Sequence, residues 1–431
     1  MKEKASYRSL YEQYGSLFLV LTCILVPLKL SLTYFAMVPL LVMYLTRERD
    51  SSFEYQCKAP EQFYVFSIIV LFVSLFGVSP WHSLTQAPLL LFYPLLMCAS
   101  RDLVFKNSLT PYIRGLILGS SISAFGTFLH AAYPEIFPRA FLGAVSESGQ
   151  LGMTISLLSG LLIGGFCVAN EIKSVDHAPR ERAILLGSSL LIFVGLVVLG
   201  FSSYLLSGII ISAVSIILIL GVLFAWHHYA SRRCLFLFCL PVLCSALLLN
   251  LKRGPVFGVM TAIVLLSIFY KKYIPLLISV LLITAAFLIP SVRDRFDASN
   301  QDFFGSGGRS EMWSIGSMLV RKNPLGVGYD NSNIIRNYSE TIPRELSHFH
   351  NNFLNVTVET GWIGLAAFLT FFLVVLKYGA SHRELYPFAA AVLAMLVAGL
   401  VEYNFGDTKV LLLLFLMVGF LAGSAERITS K

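Results

Sequence analysis

The chain has 431 residues, of which 56% are hydrophobic and only 13% charged, and a formal net charge of +8. A water-soluble domain carries roughly a quarter charged residues, so an ordinary soluble enzyme is excluded. The positive charge fits basic loops at a membrane surface better than a nucleic-acid interface. The seven cysteines form no Cys-x-x-Cys pair and are odd in number, which argues against a disulfide framework or a zinc site and for small buried apolar residues.

Apolar segments follow one another along the chain, most of them long enough for roughly 30 Å of hydrocarbon. The polar start MKEKASYRSLYEQYG is not followed by the short core and small-residue cleavage site of a signal peptide. Segments are predicted near 16–28 and 31–46, turning back at Pro27–Lys29, then near 62–79, 84–100, 111–132, 150–170, 183–201, 203–226, 234–251, 254–270 and 274–291. Three more follow near 359–377, 386–402 and 408–424. The pattern predicts an all-α polytopic membrane protein of about 12–14 transmembrane helices, the number depending on whether 16–46 and 183–226 cross fully.

Lys and Arg crowd alternate connections, such as Arg47 and Arg49, Arg180 and Arg182, and Lys271 and Lys272, while the opposite short loops hold few. The positive-inside rule then puts both termini in the cytoplasm and the long connection outside. Three regions result: an N-terminal bundle over 1–291, an outward loop or cap over 292–358, and C-terminal helices over 359–431. The loop carries seven basic and seven acidic residues and keeps its aromatics. Within it EMWSIGSMLV has the spacing of a short amphipathic helix, and NPLGVGYDN reads as a turn with two glycines. Structured loops of this length are usually functional. No repeat of 20–50 residues and no matched pair of broken helices marks an inverted-repeat transporter.

The outward ends hold the residues able to do chemistry. Lys252 and Arg253, in LLLNLKRGPVFGVM, read either as a snorkelling pair or as an anion site beside Gly254. Arg309 follows a glycine-rich stretch and opens the amphipathic segment, as a solvated loop arginine or as a phosphate ligand near a helix N-terminus. His348 and His350 lie two apart. Without an HExxH or a carboxylate cluster they offer no metal site, leaving a structural histidine or a general base for a hydroxyl. Glu402 and Asp407, in VEYNFGDTKV, suit turn and N-cap roles or the holding of an arginine or an acceptor.

In order and spacing these stretches resemble the O-antigen ligase/O-antigen polymerase superfamily of polytopic glycosyltransferases. NLKRGPVFGV is similar to the family's Ser-Arg-Gly helix start, with Lys252 where Ser is usual. GGRSEMWSIGSMLVRKNPLGVGYDN is similar to its arginine, tryptophan and proline–glycine pattern. His350-Asn351 followed by Gly361-x-x-Gly364 resembles its His-Asn signature, and EYNFGDTKV a terminal motif of ligase-like members, with Lys409 where an acidic residue is common.

The resemblance implies a GT-C-like bundle without a nucleotide-sugar domain. It implies a donor glycan on undecaprenyl pyrophosphate and an acceptor hydroxyl on lipid A–core, or on a second lipid-linked repeat unit in the polymerase branch. Arg253 and Arg309 would stabilise the leaving pyrophosphate, His350 would act as general base, and Lys252, Asn351, Glu359 and Asp407 would bind or position substrate. It implies inverting chemistry with no metal or other cofactor, membrane lipids but no nucleic acid as partners, and the inner membrane of a bacterium with the site facing the periplasm. A transporter for the same lipids is the alternative from a different class; it would place ionisable residues near mid-membrane.

Overall fold

A computed structural model describes residues 2–47, 55–132, 135–137, 253–271, 303–305, 307–342 and 347–430, with residues 243, 246 and 247. The segments expected at 150–170, 183–201, 203–226 and 274–291, nearly all of 234–251, and Lys252, lie outside the described residues. Among those described, the regular structure is helical throughout, with no strand. Pro80–Lys106, Asn352–Gly379 and Thr408–Thr429 are long and apolar enough to cross a membrane; Leu30–Thr46, Ala59–Ser74, Gly254–Tyr270 and Tyr386–Ala398 are shorter apolar helices.

The chain divides into two compact units, the first formed by Met1–Met43 and Leu109–Val259. In it α1 (Lys2–Leu25) turns through Pro27–Lys29 into α2 (Leu30–Thr46), and α1 packs on α7 (Thr110–Ala132). Gly115 and Gly119 of α7 lie one turn apart against the carbonyls of Val20 and Ile24 of α1, where any Cβ would collide with backbone. Small residues at this spacing let two membrane helices approach closely. Ser16 Oγ and Tyr112 Oη close the contact at 2.8 Å.

The second unit comprises Tyr44–Ser108 and Met260–Lys431. Helix α3 (Ala59–Ser74) leads through a turn to α4 (Pro80–Gln86), α5 (Leu89–Phe92) and α6 (Pro94–Lys106). The span expected at 84–100 is therefore three helical stretches, because Pro88 and Pro94 lack the N–H that an uninterrupted helix needs. Helix α8 (Arg253–Tyr270) precedes the loop, which holds α9 (Arg309–Lys322) and a 3-10 turn (Ser332–Asn337). Three helices then follow: α10 (Asn352–Gly379), α11 (Tyr386–Ala398) and α12 (Thr408–Thr429).

Helix α12 packs along α6, with Gly419 and Gly423 set against the carbonyls of Met97 and Arg101. Helix α10 packs along α3. The core between them is aromatic: Phe63 meets Phe371 at 5.0 Å and Phe415 at 4.9 Å edge to face, and Phe368 meets Phe405 at 4.9 Å. At one end of these helices the buried Arg101 donates to Cys57 O and Glu61, Tyr55 donates to Asp102, and Glu426 accepts from Cys57 N. The described cysteines, Cys23, Cys57 and Cys98, are free and buried.

The loop has an apolar core of its own. Met312, Ile315 and Leu319 of α9 meet Val327, Ile335, Phe349 and Val358 in one buried cluster. The amphipathic helix expected from EMWSIGSMLV is present and begins earlier, at Arg309. The last part of the loop is already helical: α10 starts at Asn352, not near 359, and bends at Gly361, whose φ of 66° is not helical.

Candidate functional site

Helix α9 begins where its glycine-rich approach allows. Gly308 is the N-cap, and Glu311 reaches back to accept from Gly307 N at 2.8 Å while also accepting from Ser339 and Thr341. These hydrogen bonds, that from Ser339 foremost, hold the Glu311 carboxyl below its usual range. They fix the first turn of α9 to the 339–341 turn, and with it Arg309, the first helical residue.

Helix α10 begins with an equally definite stop. Asn351 is its N-cap: its Oδ1 accepts from Leu354 N at 3.0 Å, and its Nδ2 donates to Leu400 O at 2.9 Å. Just before it, Phe349 is fully buried, its N–H held by Asn355 Oδ1 at 3.2 Å and its carbonyl by Trp313 Nε1 at 2.9 Å. His348 and His350 flank that anchor with ring centroids 4.4 Å apart. His350 takes the left-handed conformation, φ 47°, which few non-glycine residues adopt.

The turn after α11 supplies the third component. Asn352 Nδ2 donates to Asn404 Oδ1 at 2.5 Å, Asn352 Oδ1 accepts from Phe405 N at 3.0 Å, and Asn352 N donates to Gly399 O at 2.7 Å. The 399–405 turn is thereby latched to the start of α10. Glu402 stands on it between two partners. Arg309 Nη2 donates to Glu402 Oε1 at 2.7 Å, and His350 Nδ1 lies 3.1 Å from Glu402 Oε2. The three side chains are only 19% to 22% exposed, so their interactions are weakly screened.

Beside them His348 packs edge-on against Tyr403, and its buried Nδ1 meets no hydrogen-bond partner among the described residues. Burial and the neighbouring His350 pull its pKa down to about 4 from 6.5, against the opposing pull of Glu402. Burial likewise raises the Tyr403 hydroxyl well above its ordinary value. At neutral pH both are uncharged walls to the cluster.

The proline–glycine turn meets α10 farther along, at 358–362. Val327 N and Gly328 N donate to Val358 O and Glu359 O, and Trp362 N donates to Pro324 O. Gly326 and Gly361 each have positive φ and lie so close to the opposing backbone that a Cβ on either would overlap it. The same turn reaches α3–α4: Val78 N donates to Val327 O at 2.8 Å, Ser83 Oγ to Tyr329 O at 2.7 Å, and Asn331 Nδ2 to Ser83 Oγ at 3.0 Å.

The sequence-predicted site residues thus have different surroundings. Arg309 and His350 come together through Glu402, in the arginine-holding role open to that residue. Asn351 caps α10. Glu359 is buried, 2% exposed, and hydrogen-bonded by Ser332 Oγ and Asn355 Nδ2 under the proline–glycine turn. Asp407 caps α12, accepting from Lys409 N at 2.8 Å and Val410 N at 3.4 Å. Arg253 begins α8 in the first compact unit, and its side chain, like all of Lys252, lies outside the described residues. Trp313 is the tryptophan of the family pattern; Ser332 and Asn355 were not singled out in the sequence. A hydroxyl or amide that supports a neighbour has no spacing of its own to read.

Fold and site define an α-helical membrane protein in which a structured loop sets an Arg–Glu–His cluster beside the start of a membrane-length helix. Residues 238–369 match the family model described as O-antigen ligase. That stretch contains Arg253, Arg309 and His350 and ends before Glu402. No curated protein matches the chain.

Proposed function

We propose that the protein is a glycosyltransferase of the O-antigen ligase type. It moves a glycan from undecaprenyl pyrophosphate to a sugar hydroxyl of lipid A–core, at the periplasmic face of a bacterial inner membrane, with inversion at the anomeric carbon and without a metal. The 292–358 segment is the outward cap of this site. The match over 238–369 supports the class.

The observation that carries the mechanism is the bridging carboxylate. An ionised carboxylate only accepts, so the Glu402–His350 hydrogen bond takes its proton from His350 Nδ1, and in the neutral imidazole the Nε2 lone pair is then available as a base. The acceptor hydroxyl gives its proton to Nε2 as its oxygen bonds to the anomeric carbon. The bond from that carbon to the pyrophosphate breaks, and both its electrons leave with the pyrophosphate. Arg309, whose fork Glu402 holds through Nη2, faces the growing negative charge, and Arg253 is assigned the same role. Asn351 and Lys252 are assigned to substrate binding. Glu359 and Asp407 act from beneath, by holding α10 and α12.

The test is glycan transfer by purified protein, with and without EDTA, from one lipid-linked donor offered alone and then with lipid A–core. EDTA-resistant transfer onto lipid A–core, lost in correctly inserted Arg253→Ala, Arg309→Ala and His350→Ala, is expected. Chain growth from the donor alone would make the enzyme a polymerase using the same site. Lipid flipping without transfer, unchanged in the variants, would make it a transporter and end the glycosyltransferase reading.

A further inference from the structure

A second group of polar and aromatic side chains stands where the start of α4 meets the proline–glycine turn of the same unit. His82 Nε2 lies 3.0 Å from Asp330 Oδ2, joining residues 248 positions apart, and both side chains are open to solvent. Trp81, next to His82 at the start of α4, is 81% exposed. Asp330 takes the left-handed conformation, φ 59°. Neighbouring bonds hold the pair in place: Ser83 binds Tyr329 O, Asn331 binds Ser83, and Val78 N binds Val327 O. The turn that carries Asp330 also carries Ser332, which is bonded to Glu359 two turns into α10.

This is more order than an exposed side-chain contact needs. Such a contact adds little stability, whereas Asp330 holds an uncommon backbone conformation while its carboxylate stays accessible. Carbohydrate has the complementary chemistry. Its hydroxyls both donate and accept, as a paired imidazole and carboxylate require, and the C–H face of a pyranose lies well on the electron-rich face of an indole. An aromatic plane with a few fixed polar groups is the usual form of a small-molecule subsite.

We propose that Trp81, His82 and Asp330 form a glycan subsite, in which Trp81 supports a sugar ring and the His82–Asp330 pair takes its hydroxyls. The proposal rests on the glycosyltransferase reading for its ligand and adds a contact outside the reacting centre. It fixes which sugar beyond the bond being made is recognised.

Two measurements test it. The first is KM and kcat for donor and acceptor separately, in wild type, Asp330→Gly, Trp81→Leu and Trp81→Phe. Asp330→Gly removes the carboxylate while suiting the left-handed backbone, and Trp81→Leu keeps an apolar membrane contact while removing the ring. Each is expected to raise KM for one of the two glycans about tenfold or more, and to lower kcat by less. Trp81→Phe is expected to restore KM to within a few-fold, and the glycan whose KM moves tells whether the subsite belongs to donor or acceptor. The second is binding of the water-soluble oligosaccharide released from the lipid-linked donor, followed by tryptophan fluorescence in the intact protein and in Trp81→Phe.

Saturable binding whose signal is lost in Trp81→Phe and whose affinity falls in Asp330→Gly supports the subsite, even if no transfer occurs and the glycosyltransferase reading fails. Transfer with both KM values unchanged in Asp330→Gly and Trp81→Leu overturns the subsite and leaves that reading standing. If only the amount of membrane-inserted protein responds to position 81, Trp81 is a lipid anchor and the proposal is wrong.

Discussion

Arg309 and Glu402 are joined at 2.7 Å between residues 93 positions apart, and the second oxygen of the same carboxylate faces His350. One carboxylate therefore engages a guanidinium through Nη2 and an imidazole through Nδ1 together. In a partly shielded site such preorganisation matters more for charge developing in a reaction than for stability.

Glu402→Gln separates these effects. The amide keeps the volume but loses the charge and the second acceptor oxygen. Transfer is expected to fall by about 10²–10³-fold, with a stability loss no greater than about 1–2 kcal/mol, because the amide keeps one acceptor oxygen for its partners. Paired transfer assays and thermal melts of purified protein check this. A melt that collapses together with activity would make Glu402 a structural brace.

Arg309→Lys keeps the charge and removes the planar fork. A point charge cannot hold Glu402 through one nitrogen while presenting others to a pyrophosphate in fixed geometry. Activity is expected to recover only a minor part of what Arg309→Ala loses. Full activity in the Lys variant, measured with the same donor, would reduce the role to net charge.

Gly361→Ala is expected to damage folding rather than chemistry. Its Cβ would press on Pro324 O and the Leu325 backbone, at a φ of 66° that alanine adopts at a cost of about 1–2 kcal/mol before any clash. The yield of inserted protein and its melting temperature should both drop. Any protein that does fold should keep its activity per molecule.

Glu359 gives a contrast of two substitutions. Glu359→Ala leaves Ser332 Oγ and Asn355 Nδ2 without their acceptor in a buried setting, at roughly 1–3 kcal/mol for each group. Glu359→Gln keeps an acceptor oxygen in place. Large loss of stability in the first and mild loss in the second, read by thermal unfolding, identifies a brace for the proline–glycine turn. Normal stability in both, with activity lost, would return Glu359 to the substrate.

His348 makes stability depend on pH. Its pKa is about 4 in the fold against 6.5 in the unfolded chain, chiefly through burial. Between those values the unfolded chain binds more protons, so stability is complete above about pH 6.5 and is lost as pH falls toward 4. At about 1.4 kcal/mol per unit the full effect is about 3 kcal/mol. Melting temperature measured from pH 4 to 7 should rise with pH, and His348→Asn should flatten that rise. An unchanged slope in the variant would assign it to other groups.

Helix type and rough position were legible because burial in lipid demands long apolar runs and internally bonded backbone. So were the turns at Pro27–Lys29 and Gly326–Gly328, and the amphipathic α9. Helix ends were less so. Nothing in a hydropathy run shows that α10 begins at Asn352, since that start depends on Asn351 capping and on Gly399 accepting from Asn352 N. The residue types of the site were also readable: an arginine opening the amphipathic segment, a histidine followed by an asparagine, and acids in the turn before the last helix. Their pairing was not. Which acid holds Arg309, and that Glu359 faces inward, follow from contacts between segments tens of residues apart. A side chain's role there is set by what the packing places within about 3 Å of it, which composition and spacing do not encode.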